Sequence, residues 1–254
     1  MKLDKRMVEK PWGRETLPPP FGDTGGRRIG EIWFEGPPGL PLLAKYIVTS
    51  EKLSVQVHPD DAAARARGLT RGKSECWYIL DAEPGAVLGL GLRREMSAQA
   101  LRAAAEDGGI EALMDWVPVA RGDVFFVPAG TVHAIGAGIA LLEFQQASDV
   151  TYRLYDYGRP RALHLDEAVA VARPGPYGPR PAPPAPLLVE APPFSLARVS
   201  GGPVPFEDRQ RWVLPLEGRA VAGGEAAGAG ECLLVAPGVP LALDAGSVAL
   251  VGAE

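Results

Sequence analysis

The sequence predicts a mainly β fold, a sandwich or barrel with a few helical insertions and a small C-terminal β module. The chain contains 31 glycines and 26 prolines, and many short strands separated by such turn-forming residues are typical of all-β domains. Patterns with helical periodicity are few. Eight short apolar runs of strand length lie between the turn signals, at 31–34, 41–49, 53–58, 75–80, 86–90, 123–127, 131–135 and 139–146.

Helix signals mark four other segments. Pro59 and the two acids that follow it precede an alanine-rich run and predict a helix start there, rather than metal ligation by the acids. Ser97 is placed to cap a helix that two glycines end. A short helical piece is predicted over 110–116 and a further helix over 165–172.

The proline distribution predicts the domain organisation. Residues 174–193 hold nine prolines, so this stretch cannot form a helix or a sheet interior. We therefore expect a catalytic domain over 1–173, a proline-rich linker over 174–185 and a small β domain over 186–254.

Charge and cysteine content narrow the classes of function. The formal net charge is −5, which argues against a nucleic-acid partner bound through a basic surface. Two distant cysteines, Cys76 and Cys232, give no disulfide framework. We see neither a signal peptide nor an apolar segment of membrane-spanning length. The expectation is a cytoplasmic protein without a membrane partner, and the sequence leaves a monomer and a homodimer open.

Two of the three histidines lie in predicted strands whose alternation places polar side chains on one face. In the run 54–58, alternation puts Ser54, Gln56 and His58 opposite two valines. His133 follows a Pro-x-Gly turn, and Glu75 shares a strand face with Lys73 and Trp77. Two imidazoles, a carboxylate and an amide oxygen form a donor set for Zn²⁺, with Fe²⁺ and Mn²⁺ as competitors. Spacing alone does not bring these strands together.

A longer pattern points to a family. The spacing of Gly122, Pro128, Gly130 and His133 resembles the second motif of the cupin superfamily, while the usual first-motif His-x-His reads Gln56-x-His58. This resemblance implies a cupin-type β-barrel or jelly roll. Over about residues 8–172 the chain resembles the short bacterial form of type I mannose-6-phosphate isomerase, in the strings KPWG (10–13), GEIW (30–33), QVHPDD (56–61), GKSECWYIL (72–80), PAGTVHAIG (128–136), LEFQQASDVTYRLYDYGR (142–159) and LHLDEAV (163–169).

The family resemblance implies a role for each matched position. It implies one zinc ion per chain, held by Gln56, His58, Glu75 and His133. The implied catalytic residues are Arg153, Lys73 and Glu143. The implied substrate-binding residues are Ser54, Lys45 and Asp149.

The implied activity is metal-dependent interconversion of mannose 6-phosphate and fructose 6-phosphate through a cis-enediol(ate). The phosphate requires cations, and we expect these among Arg153, Lys73, Arg159 and Lys45. The sequence leaves the proton-transfer base open between Glu143, Lys73 and a metal-held water.

Other functions stay open at this stage. They are an isomerase of another sugar phosphate, such as glucose 6-phosphate, and a non-catalytic sugar-phosphate-binding cupin. An iron dioxygenase fits the histidine pair but neither the glutamine nor the basic residues.

Overall fold

A computed structural model describes residues 1–178 and 183–254 of the chain. Its central layer is a six-stranded antiparallel sheet in the order β1-β4-β5-β12-β7-β10. Strand β12 is buried along its whole length because both faces of this sheet are covered. The strands are β1 (Asp4–Arg14), β4 (Ile29–Glu35), β5 (Leu42–Val48), β7 (Glu75–Ala82), β10 (Val124–Val127) and β12 (Ile139–Gln146).

A five-stranded sheet in the order β13-β6-β11-β8-β9 covers one face of this layer. The two sheets share an apolar core in which Trp77 and Leu141 from the first pack with Leu88 and Ile135 from the second. This pairing forms the predicted barrel-like body. The strands are β6 (Val55–Val57), β8 (Val87–Leu92), β9 (Met114–Pro118), β11 (His133–Ile135) and β13 (Tyr152–Tyr155).

Helices lie between the strands along the chain, and residues from three of them, Leu101, Ile110 and Ala168, belong to the apolar core on the outer face of the five-stranded sheet. Two of the predicted starts are capped as expected: the Asp60 side chain accepts from the Ala63 amide, and Ser97 accepts from the Ala100 amide. The prediction for 110–116 was partly wrong, because the helix ends at residue 113 and the chain continues as β9, which pairs with β8. The helices are α1 (Asp61–Arg65), α2 (Ala98–Glu106), α3 (Ile110–Leu113) and α4 (Leu165–Val171).

The C-terminal part forms the predicted small β module on the other face of the six-stranded sheet. A five-stranded sheet, β14-β15-β21-β16-β19, packs on a three-stranded one, β18-β17-β20. The strands are β14 (Leu187–Ala191), β15 (Phe194–Val199), β16 (Arg211–Glu217), β17 (Arg219–Ala222), β18 (Glu225–Gly228), β19 (Leu233–Val235), β20 (Leu241–Leu243) and β21 (Val248–Ala253); the remaining short pair is β2 (Thr16–Leu17) with β3 (Gly22–Asp23).

The module and the barrel share one core. The Phe144 ring lies edge-on to Phe194 at 5.2 Å and to Trp212 at 6.2 Å between centroids. The predicted division at 173 and 186 stays a prediction, and residues 179–182 of the expected linker lie outside the described residues. No helix within the described ranges is long and apolar enough to cross a membrane.

Candidate metal centre and cavity

Three side chains that are distant along the chain meet between the two sheets of the barrel. The ligand atoms of His58, Glu75 and His133 all lie within 4.8 Å of one another, and all three residues are buried. Glu75 Oε2 lies 3.4 Å from His58 Nε2, and Glu75 Oε1 lies 3.3 Å from His133 Nε2. We refer to these three residues as the metal group.

The turn before His133 fixes one side of this group. Gly130 has a φ of +88°, a conformation that favours glycine. Its amide donates to the carbonyl of His58 at 2.8 Å, which ties the two histidine segments together. His133 Nδ1 lies 2.9 Å from the Thr131 carbonyl. When Nδ1 donates there, the lone pair of Nε2 is left facing Glu75, as in many metal-binding histidines.

Burial sets the protonation of the two imidazoles. It lowers the pKa of His58 to about 3, with the neighbouring Lys73 ammonium as the next cause. Burial also lowers the pKa of His133. Both rings are therefore neutral near pH 7, which is the form that binds a metal ion.

Glu75 is held as a carboxylate. Burial on its own would raise the pKa of Glu75, but the neighbouring Lys73 ammonium is the largest opposing influence, and that pKa lies well below its usual range. Among residues 1–178 and 183–254, no group forms a well-aligned hydrogen bond with either His58 nitrogen or either Glu75 oxygen, although the Lys73 ammonium lies 3.2 Å from Glu75 Oε2. Buried polar atoms are rarely left so. Two neutral imidazoles and a carboxylate with free lone pairs fit a divalent metal ion.

Gln56 stands beside the metal group. The register of the sheet places it opposite both His133 and Arg153. Its Nε2 lies 3.3 Å from His133 Nε2, and its Oε1 accepts from the Ser54 hydroxyl at 3.0 Å. Ligation through Oε1 requires the amide to turn over, after which the Ser54 hydroxyl can accept from Nε2.

A cavity of about 380 Å³ opens next to the metal group. Gln56 and Lys73, which both contact the metal group, belong to its lining. Half of the residues that line this cavity are charged, and cations prevail among them although the chain has an overall charge of −5. Six lining residues are cationic and three are anionic: Arg6, Lys10, Lys45, Lys73, Arg153 and Arg161, with Glu31, Glu143 and Asp149.

One wall of the cavity is a row of paired residues on the six-stranded sheet. Glu143 lies between Lys45 and Trp77 in the strand register. Lys45 Nζ is 2.9 Å from Glu143 Oε1, and Trp77 Nε1 donates to Glu143 Oε2 at 3.0 Å. Burial alone would lower the pKa of Lys45, but Glu143 and Glu31 outweigh it and raise that pKa. Lys45 is therefore a buried ammonium.

The opposite wall carries two arginines. Arg153 is half-buried, and within the part of the chain that the structure describes its Nε has no hydrogen-bond partner. Burial and the nearby charge of Arg161 lower the pKa of Arg153. Arg161 is held by two hydrogen bonds of 2.6 Å to the buried carboxylate of Asp156. This pair of guanidinium groups favours an anion in the cavity.

Comparisons with known proteins agree with this geometry. The chain is 36% identical over 210 residues to a mannose-6-phosphate isomerase of Streptococcus mutans, and the match covers 66% of each protein. It is 45% identical over 138 residues to a Bacillus subtilis mannose-6-phosphate isomerase, 52% of this chain and 44% of that protein. The crystal structure of the mannose 6-phosphate isomerase from Bacillus subtilis superposes with a TM-score of 0.85 at 25% identity, covering 100% of this chain and 99% of that one.

The chain belongs to the mannose-6-phosphate isomerase family. Its matches span about half to two thirds of the length of these curated relatives. No protein-family model matches the chain. A zinc-bound mannose 6-phosphate isomerase has a TM-score of 0.71 at 16% identity, which shows a shared fold.

The structure brings the predicted site residues together. The metal group supplies three of the four predicted ligands, and the remaining predicted positions line the adjoining cavity: Gln56, Ser54, Lys45, Lys73, Glu143, Asp149 and Arg153. Arg159, expected among the phosphate-binding cations, instead contacts Glu51 at 2.9 Å and Asp156 at 3.3 Å. Arg161 occupies the cavity in its place.

Five polar cavity residues were missed individually: Arg6, Lys10, Glu31, Thr151 and Arg161. Lys10 lies in the string KPWG, and Glu31 and Trp33 lie in GEIW, two of the strings that carry the family resemblance. The period-two alternation of Lys10 with Trp12 and of Glu31 with Trp33 could have signalled that each pair shares a face.

Proposed function

We propose that the chain is a metal-dependent aldose–ketose isomerase that interconverts mannose 6-phosphate and fructose 6-phosphate. The observation that carries this proposal is the junction of the metal group with a cavity in which cations outnumber acids six to three. An anionic substrate with vicinal oxygens suits both parts. The identity of the sugar is supported by the names of the relatives.

The phosphate subsite is best supported at the arginine wall. Arg153 offers a buried Nε–H that lacks an acceptor among the described residues. Arg161 is already oriented by Asp156, so less conformational freedom is lost when it binds a ligand. Guanidinium groups match phosphate oxygens by paired hydrogen bonds. The Ser54 hydroxyl and Asp149 line the same cavity, where the hydroxyl can donate to the phosphate and the Asp149 carboxylate can accept from hydroxyl groups of the sugar.

His58, Glu75, His133 and, after rotation of its amide, Gln56 would hold a divalent ion, with zinc favoured by this nitrogen and oxygen set. When bound, the ion supplies Lewis-acid stabilisation of negative charge on the C1 and C2 oxygens, an effect of several kcal/mol. The low pKa of Glu75 and the neutral imidazoles prepare the ligands without the prior loss of a proton.

Glu143 and Lys73 are the best-supported proton-handling pair. Glu143 Oε1 lies 3.9 Å from Lys73 Nζ, and Lys73 lies 3.2 Å from Glu75 Oε2. In this proposal the Glu143 carboxylate removes the proton from C2 of the aldose and returns it to C1. Lys73 exchanges the hydroxyl proton between O2 and O1. The sum of these transfers is the ketose, with no other reactant needed.

A coupled assay on the purified protein tests this function. We expect turnover of mannose 6-phosphate by protein that contains stoichiometric metal, loss of turnover after chelation, and recovery on adding zinc. Absence of turnover from protein with confirmed bound metal would overturn the proposal. In that case, calorimetry that showed tight sugar-phosphate binding would favour the non-catalytic alternative.

Glucose 6-phosphate provides the specificity control, because it differs from mannose 6-phosphate only at C2. We expect a clear preference for mannose 6-phosphate in kcat/KM. Faster turnover of glucose 6-phosphate would keep the isomerase reaction and replace the substrate.

A further inference from the structure

Six alternating charges cross the wall of the cavity in a single line. Each contact joins a cation to a carboxylate: Lys10–Glu31 at 3.2 Å, Glu31–Lys45 at 3.8 Å, Lys45–Glu143 at 2.9 Å, Glu143–Lys73 at 3.9 Å and Lys73–Glu75 at 3.2 Å. Five of the residues come from five successive strands of the six-stranded sheet, β1, β4, β5, β12 and β7. We call this line the charge ladder, and its residues are Lys10, Glu31, Lys45, Glu143, Lys73 and Glu75.

Of the deeply buried residues in the charge ladder, Glu31 lies furthest along it from the metal group. Its exposed fraction is 7%. Trp33 Nε1 donates to its Oε2 at 2.8 Å, which fixes the carboxylate in place. Burial on its own would raise the pKa of Glu31, but Lys45 and Lys10 outweigh it and lower that pKa to about 2. Glu31 therefore carries a full negative charge at neutral pH.

Lys45 connects Glu31 with the proton-handling pair, because it contacts both Glu31 and Glu143. Its ammonium lies between the Glu31 and Glu143 carboxylates, and it sits 5.4 Å from the centre of the Trp33 ring. A lysine ends in a flexible four-carbon stem, so its position depends on what surrounds the ammonium. With Glu31 neutral, Glu143 remains as the carboxylate that contacts Lys45. The Lys45 ammonium is then attracted towards Glu143 without the opposing attraction of a charged Glu31.

Resting on the function proposed above, we infer that Glu31 is a positioning residue, which acts through Lys45 to hold the Glu143 carboxylate in its working place. Glu31 does not need to touch the substrate for this role. Its loss would also remove one negative charge from a cavity that binds an anion, so ground-state binding of the sugar phosphate would not weaken. The role therefore predicts that turnover and affinity respond differently.

The test compares Glu31→Gln with Glu83→Gln, which removes an exposed carboxylate that pairs with Arg14 on the surface. Kinetics on mannose 6-phosphate are normalised to bound metal and to folded protein. We expect Glu31→Gln to lower kcat about 10- to 100-fold, by analogy with the loss of groups that orient metal ligands, with KM unchanged or lower. Glu31→Asp, which keeps the charge, should recover part of kcat. The control should behave as the unmodified protein.

The outcomes are separable. Unchanged kcat in Glu31→Gln, or a raised KM at constant kcat, would overturn the positioning role, as would a Glu31→Asp variant no faster than Glu31→Gln. Should Glu31→Gln not fold, Trp33→Phe removes the indole donor to Glu31 instead, and an unchanged kcat there would overturn the role. Unmodified protein that carries metal but turns over no mannose 6-phosphate would overturn the proposed function and this inference with it.

Discussion

The guanidinium of Arg153 combines two properties that seldom occur together. It faces the cavity, and within the described residues its buried Nε has no acceptor. We expect Arg153→Ala to keep its metal and its fold but to lower kcat/KM about 100-fold or more, because a preorganised donor to the substrate anion is lost. Steady-state kinetics together with metal analysis check this. A variant that runs at near the original rate would show that the phosphate is held elsewhere.

His133 provides the opposite case. Its Nε2 faces Glu75, and its ring is oriented by the Thr131 carbonyl. Removing the imidazole leaves two members of the metal group, so we expect His133→Ala to lose both zinc retention and activity. Metal content after dialysis, measured beside Arg153→Ala, separates a ligand from a substrate-binding residue. Full zinc occupancy in His133→Ala would exclude His133 as a ligand.

The sequence was sufficient to predict most of the polar residues of the candidate site, but it was not sufficient to predict the contacts between their side chains. Strand alternation put His58 and Glu75 on inward faces, and the motif spacing added His133. The charge ladder could not be predicted, because its contacts join strands through the register of the six-stranded sheet. Glu31 and Lys45 lie in separate runs, and nothing in either run reveals that their side chains meet at 3.8 Å.

Strand β1 could not be predicted from the sequence, because its many charged residues give no strand pattern. Its sequence holds several charged residues and Pro11, a composition that is rare in strands. It forms nonetheless because it pairs along β4 at the sheet edge, where a proline is tolerated. Its alternation then aims Arg6, Val8 and Lys10 at the cavity. The apolar strands were predictable because a short run of apolar residues indicates a buried strand.

Helix α2 supports the strand that carries Arg153, and its start can be tested separately. Ser97 accepts from the Ala100 amide and caps the helix, whose Leu101 is fully buried in the core beneath. We expect Ser97→Ala to lower the free energy of unfolding by about 1 kcal/mol through the loss of this cap. Ser97→Asp, which keeps an acceptor, should retain the stability. Equal urea midpoints for all three proteins would show that the cap contributes nothing.

On the scale of the whole molecule, the six-stranded sheet couples the C-terminal module to the site. Its strand β12 presents Glu143 to the cavity and the next residue, Phe144, to the module. The ring of Phe144 packs on Phe194, Trp212 and the bare backbone of Gly252. Because successive residues of a strand point to opposite faces, the module's packing bears directly on the backbone that positions Glu143.

Gly252→Ala tests whether the module and the barrel unfold as one unit around this shared core. A Cβ at that position would overlap the Phe144 ring, so the ring or β21 must shift, at a cost of about 1–3 kcal/mol. Gly228→Ala is the matched control, since its Cβ would meet only the Gly218 carbonyl oxygen, at 3.8 Å. We expect Gly252→Ala alone to lower the urea midpoint, with fluorescence and circular dichroism still reporting one shared transition. Two separate transitions would instead mean that the module unfolds independently, and that the shared core does not bind it to the barrel.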